Sequence, residues 1–138
     1  MKILLLKLLF VVVFFCSFAP VCKPINYTEI QMEQFIREVY ADQADLLVFK
    51  SKSDRFKLLT SFLQRVEVGE FREFSGKKFR LLSEIELLNK YNPSLQRDAA
   101  FDPKTFNPLK YKFPMLSRTK EVFRVDSTDY LIIIEAVK

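Results

Sequence analysis

"YLIIIEAV", Tyr130 to Val137, decides the fold. In an extended chain successive side chains point to opposite faces, so Tyr130, Ile132 and Ile134 share one face and Leu131 and Ile133 the other. Both faces are apolar. Such a strand needs cover on both sides, which places it inside a sheet. At an edge, five apolar residues without Pro or charge would be open to pairing with another chain. Working back, "EVFRV" reads as its partner, Val122 to Val125, and "DSTD" as an Asx-initiated turn at Asp126. Together they predict a C-terminal β-hairpin whose inner strand runs from Tyr130 to Ala136.

Further upstream, "RVEVGEFREF" alternates Val66 and Val68 with Glu67 and Gly69, the pattern of a half-buried strand, and Gly76 offers a turn before "KKFRLL". "SEIELLNKY" fits a short helix and an extended piece equally well. Before these the period is helical. Thr28 with Gln31 forms a capping-box pattern, and Met32, Phe35, Ile36 and Val39 follow at i, i+3, i+4, i+7, with Glu33 and Arg37 paired outside. This helix ends near Ala41 or continues through "DQADLLVF", where Leu46 and Leu47 keep to the stripe and Val48 and Phe49 leave it. A second helix, capped by Ser51 or Ser53, buries Phe56, Leu59, Phe62, Leu63 and Val66. The expected fold is therefore α+β: two N-terminal amphipathic helices packed on one face of a small, mostly antiparallel sheet, in a single domain over residues 23–138.

The sheet's second face then needs its own cover. "NPSLQRDAAFDPKTFNPLKY", Asn92 to Tyr111, holds three Asx-Pro dipeptides, Asn92-Pro93, Asp102-Pro103 and Asn107-Pro108. Pro keeps its predecessor extended, and Asn or Asp closes a local turn with its own side chain. Leu95, Phe101, Phe106 and Leu109 fall between these stops. We read the stretch as an irregular strap, with Phe101 or Phe106 expected on the second face, unless a partner chain covers it. In the competing reading Asp98, Asp102 and Asn107 supply oxygen ligands to a cation or a sugar, although their spacing matches no EF-hand loop.

The chain opens with "MKILLLKLLFVVVFFCSFAPVCKP", in which Lys2 and Lys7 precede the apolar run Leu8 to Val21. A charged start followed by an apolar stretch is the form handed to a translocase, so residues 1–22 read as a signal peptide or an N-terminal membrane anchor. Ser17 and Ala19 are small enough for a cleavage site, but Pro20 obstructs a cut after Ala19. A lipoprotein needs a small residue before its cysteine, whereas Phe15 precedes Cys16 and Val21 precedes Cys22. The expected location is periplasmic or secreted, with anchoring through the N-terminal segment as the alternative. The richness in Phe, Lys and Ile fits an AT-rich bacterial genome.

Composition narrows the chemistry. The 138 residues carry no histidine, which removes the commonest acid-base group at neutral pH and the commonest metal ligand. The two glycines, Gly69 and Gly76, form no phosphate-cradling frame. Both cysteines, Cys16 and Cys22, lie in or beside the leader, so the mature domain holds at most one thiol and no internal disulfide. Two of the 22 basic residues, Lys2 and Lys7, belong to the leader, which leaves 20 against 17 acidic residues. That excess names no partner. Lys50, Lys52, Arg55 and Lys57, and again Lys77, Lys78 and Arg80, cluster locally, but basic helix starts and loops are ordinarily solvated, and export argues against nucleic acid.

These observations assign no catalytic, cofactor-binding or metal-binding residue and no cofactor. They favour a non-catalytic binding or interaction module of the cell envelope or periplasm, directed at another envelope protein, a peptide or a glycan. One alternative is a membrane-tethered accessory subunit of an envelope complex. The other is a carboxylate-dependent hydrolase using a pair drawn from Asp98, Asp102, Asp126 and Asp129, although all four stand beside turn residues, where Asp is ordinarily structural.

Overall fold

Ile132 is paired with Val68 on one side and with Phe123 on the other, so the two-faced apolar strand is interior. The computed structural model describes residues 21–50, 54–71 and 78–138. In chain order these form β1 (Val21–Pro24), α1 (Glu29–Tyr40), α2 (Asp54–Gln64), β2 (Val66–Glu70), β3 (Arg80–Leu81), β4 (Glu121–Arg124) and β5 (Tyr130–Ile134). The fold is α+β, and the strands form one sheet in the order β1-β2-β5-β4-β3. Every pairing is antiparallel except that of β3 with β4. Gly76, and Ser51 and Ser53 as caps of the second helix, lie outside the described residues.

The hairpin turn is held by Thr128. Its hydroxyl donates to the Val125 carbonyl at 2.9 Å and accepts from the Tyr130 N–H at 3.1 Å, while Ser127 takes a φ of 56°. Asp126, expected to initiate the turn, reaches instead across to Ser83. "SEIELLNKY" is mainly extended: one 3-10 turn at Leu82–Glu84 precedes a bridge between Leu87 and Tyr111.

α1 begins as its sequence predicts. The Thr28 hydroxyl accepts from the Gln31 N–H and the Gln31 side chain accepts from the Thr28 N–H, which satisfies two donors that a helix start leaves free. Phe35, Ile36 and Val39 are buried beneath it. At Ala41 the backbone turns to a φ of 48°, a region costly for a residue with a Cβ, and the helical count restarts. A 3-10 turn and a π-helical turn, Asp45–Phe49, follow. Of the two expected courses the helix takes the first and ends near Ala41; beyond it the stripe does not continue, since Val48 is buried and Leu46 is 61% exposed after the break rotates the chain.

Phe35, Ile36 and Val39 of α1, Leu59, Phe62 and Leu63 of α2, and Val66, Phe123, Ile132 and Ile134 of the sheet share one core. Leu95, Phe106, Leu109 and Tyr111 of the strap belong to that same core, and Phe101 packs on Tyr130 with ring centroids 5.2 Å apart. The strap is thus on the Tyr130, Ile132 and Ile134 face, not on the second face where we expected it. Leu131 and Ile133 point the other way and stand outside this core, yet they are only 4% and 5% exposed.

Each Asx-Pro dipeptide performs the same local task. The side-chain oxygens of Asn92, Asp102 and Asn107 accept from the N–H two residues on, at Ser94, Lys104 and Leu109, with distances of 3.2, 2.9 and 3.0 Å. Because Asn also has an NH₂ group, two of the three reach further. Asn92 donates to the Glu38 carbonyl at 2.8 Å, and Asn107 to the Phe35 carbonyl at 3.2 Å and the Glu38 carboxylate at 2.8 Å. The Tyr27 hydroxyl, just ahead of α1, adds a bond to the Phe106 carbonyl at 3.0 Å. The strap is therefore stapled along α1.

Candidate functional site

Between the strap and the hairpin turn lies a cleft of about 510 Å³. Ser83, Arg97, Asp98, Phe101, Tyr111 and Asp126 are among its walls. Its floor and rim come from three parts of the chain that sequence separates widely, and each is fixed locally. The Glu84 carboxylate accepts from the Leu81 N–H at 2.9 Å and so fastens the 3-10 turn that presents Ser83. From that turn the Ser83 N–H and hydroxyl both donate to the Asp126 carboxylate, at 3.0 and 2.5 Å.

Arg97 ties the strap to the same turn. Its guanidinium donates to the Leu82 carbonyl at 3.0 Å and to the Ile85 carbonyl, and it lies 5.5 Å over the Tyr111 ring. Two bonds use two of five donors. The neighbouring Asp98 accepts from Lys110, whose side chain is only 5% exposed and whose ammonium also stands 3.4 Å from Glu38. Burial pulls the lysine's pKa down, but Asp98 and Glu38 together outweigh it and hold it above the ordinary value.

Asp126 shows the same competition with the opposite sign. Burial alone would raise its pKa; the Ser83 hydroxyl and N–H, with the charge of Arg97, outweigh burial and keep it below the ordinary range. Tyr111 is raised, chiefly by burial and further by the charge of Asp98.

The candidate carboxylates separate accordingly. Asp98 and Asp126 line one cleft, whereas Asp102 closes its own turn and Asp129 stands exposed at the hairpin end. Asp98, Asp102 and Asn107 do not converge as cation ligands, since Asn107 is buried and donates to α1. Among the described residues no group of three or more His, Cys, Asp or Glu is placed to hold a metal ion. Lys50, Lys57, Lys78 and Arg80 are exposed, while Arg55 lies within 6.0 Å of the stacked Tyr40 and Tyr91 rings; Lys52 and Lys77 lie outside the described residues. Sequence reading missed Ser83, Arg97, Lys110 and Tyr111. Only Lys110 carried a local signal, its place between Leu109 and Tyr111 directly after an Asx-Pro turn.

Comparison with protein-family models, curated proteins and solved structures finds no match. The charged groups on the walls of the cleft are already engaged, which fixes their positions and still leaves carboxylate lone pairs and guanidinium N–H groups beyond those bonds. Such a surface can hold a ligand by hydrogen bonds. A carboxylate held below its ordinary range, as Asp126 is, is ionised at neutral pH and has no proton to give as a general acid.

Proposed function

We propose that this chain is an exported, non-catalytic binding module of the cell envelope or periplasm, whose binding surface is the cleft between the strap and the hairpin turn. Residues 1–22 serve as signal peptide or membrane anchor, and residues 23–138 form a two-layer domain with α1 and α2 on the Ile132 and Ile134 face of the sheet. The observation that carries the binding reading is the pre-engagement of Asp126 by Ser83 and of Asp98 by Lys110. Groups held in place before a ligand arrives lower the ordering cost of binding. The hydrolase alternative loses ground for the same reason. Partners on this reading are an envelope protein, a peptide or a glycan.

Tethering is the second reading, and one observation favours it. β1 begins at Val21, so a cut after residue 22 would divide a strand paired with β2. Cell fractionation of the full-length chain, with the mass of the recovered protein, tests both readings. Recovery outside the cytoplasm in a form about 22 residues shorter supports a cleaved signal peptide. Recovery at full mass in the membrane fraction supports the anchor, and a full-mass chain soluble in the cytoplasm overturns export.

A further inference from the structure

We infer that the cleft takes a neutral, hydroxyl-rich ligand, a sugar unit of one or two rings. The inference rests on the binding reading above and adds the chemical class. A volume of about 510 Å³ suits a ligand of that size. Charge then selects among ligands. An anion entering the cleft meets the carboxylates of Asp98 and Asp126, and a cation meets the guanidinium of Arg97. The buried Lys110 ammonium, 2.7 Å from Asp98, balances that carboxylate and leaves Asp126 against Arg97, so the walls carry little net charge of either sign. A neutral polyol satisfies both signs at once: its hydroxyls donate to the remaining carboxylate lone pairs and accept from the remaining Arg97 N–H groups.

The apolar part of the lining fits the same class. Phe101 supplies ring surface for the C–H face of a pyranose, and its ring is fixed by packing on Phe106 and Tyr130 at 5.0 and 5.2 Å. Ala99 and Ala100 form a low rim that leaves the opening unobstructed. Ser83 adds a hydroxyl whose proton is committed to Asp126, so toward a ligand it is an acceptor only.

The test is a titration of the isotope-labelled full-length chain with maltose and with the N-acetylglucosamine disaccharide, following backbone amide shifts. Glucuronate, glucosamine and trialanine serve as anionic, cationic and peptide probes. The expected result is saturable movement of the Ala99, Ala100 and Thr128 amides with at least one neutral disaccharide, exceeding that with either charged sugar. Ala100→Trp places a bulky ring on an exposed rim position, so the chain should fold normally and bind that disaccharide about tenfold more weakly or not at all. Absence of saturable movement with both neutral disaccharides, stronger binding of a charged sugar, or binding unchanged in A100W overturns the sugar assignment. Movement with trialanine alone also overturns it while leaving the binding module standing, whereas cytoplasmic recovery in fractionation removes export without touching the cleft.

Discussion

Lys110 donates to Asp98 at 2.7 Å with 5% of the lysine side chain exposed and 39% of the aspartate side chain exposed. The pair is unequal, and its two halves should respond unequally to removal. Asp98→Ala leaves a buried ammonium with only the longer contact to Glu38, and should cost about 2–3 kcal/mol, below the usual range for a fully buried pair because water reaches the carboxylate side. Lys110→Met keeps the volume and frees two carboxylates that already touch water, and should cost about 1 kcal/mol or less. Urea unfolding of the two variants checks the order; equal losses would show that the lysine is not sealed.

Asn107 is 1% exposed and binds in three directions. Asn107→Ala removes all three bonds and should lower stability by about 2 kcal/mol. Asn107→Asp keeps the turn-closing oxygen but loses both donations and sets a second carboxylate beside Glu38. It should be the worse variant at pH 7 and should recover toward the alanine variant as acid protonates the new group, a difference that thermal melts at pH 7 and pH 4 would reveal.

Ile133 is 5% exposed on the face away from the helices and the strap. Ile133→Asp should cost several kcal/mol for an unpaired buried charge and abolish the cooperative melt, whereas Ile133→Val should cost about 1 kcal/mol. A folded I133D chain, judged by circular dichroism, would show that water reaches this face.

The alkaline limb of stability should be steep. Tyr27, Tyr40 and Tyr111 are raised above their ordinary value of 10.0, chiefly by burial, and Lys110 is raised above 10.5, where burial opposes and its two carboxylates prevail. Each binds its proton more tightly folded than unfolded, so its contribution is complete below the unfolded pKa and is lost as pH climbs through the folded one. On the acid side Asp126 is lowered; its contribution is present above the ordinary 3.8 and disappears as pH falls through its folded pKa. Denaturation midpoints should therefore be level from about pH 6 to 9 and fall above about pH 10, with tyrosinate absorbance appearing only as the chain unfolds.

The features legible in the sequence were those decided within a few residues. Thr28 and Gln31 cap α1 because both partners lie in one turn, and Ile132 is interior because its own strand is apolar on both faces. At Ala41 the sequence left an end and a continuation open, since Leu46 and Leu47 continue the stripe and only a backbone dihedral ends it. The face taken by Phe101 and Phe106 was illegible for another reason. Turn chemistry at Asn92, Asp102 and Asn107 fixes the local bends, but the bonds of Asn92 and Asn107 to Phe35 and Glu38 span 54 to 72 residues and leave no periodic trace. The cleft is hidden in the same way, for Ser83 and Asp126 are 43 positions apart.

The middle strand of the sheet is also the last of the described strands in chain order. β5 joins β2 to β4, so until residues 130–134 emerge, the β1-β2 pair and the β3-β4 pair are two ribbons with no ladder between them. Sheet closure is then a long-range event that waits for β5.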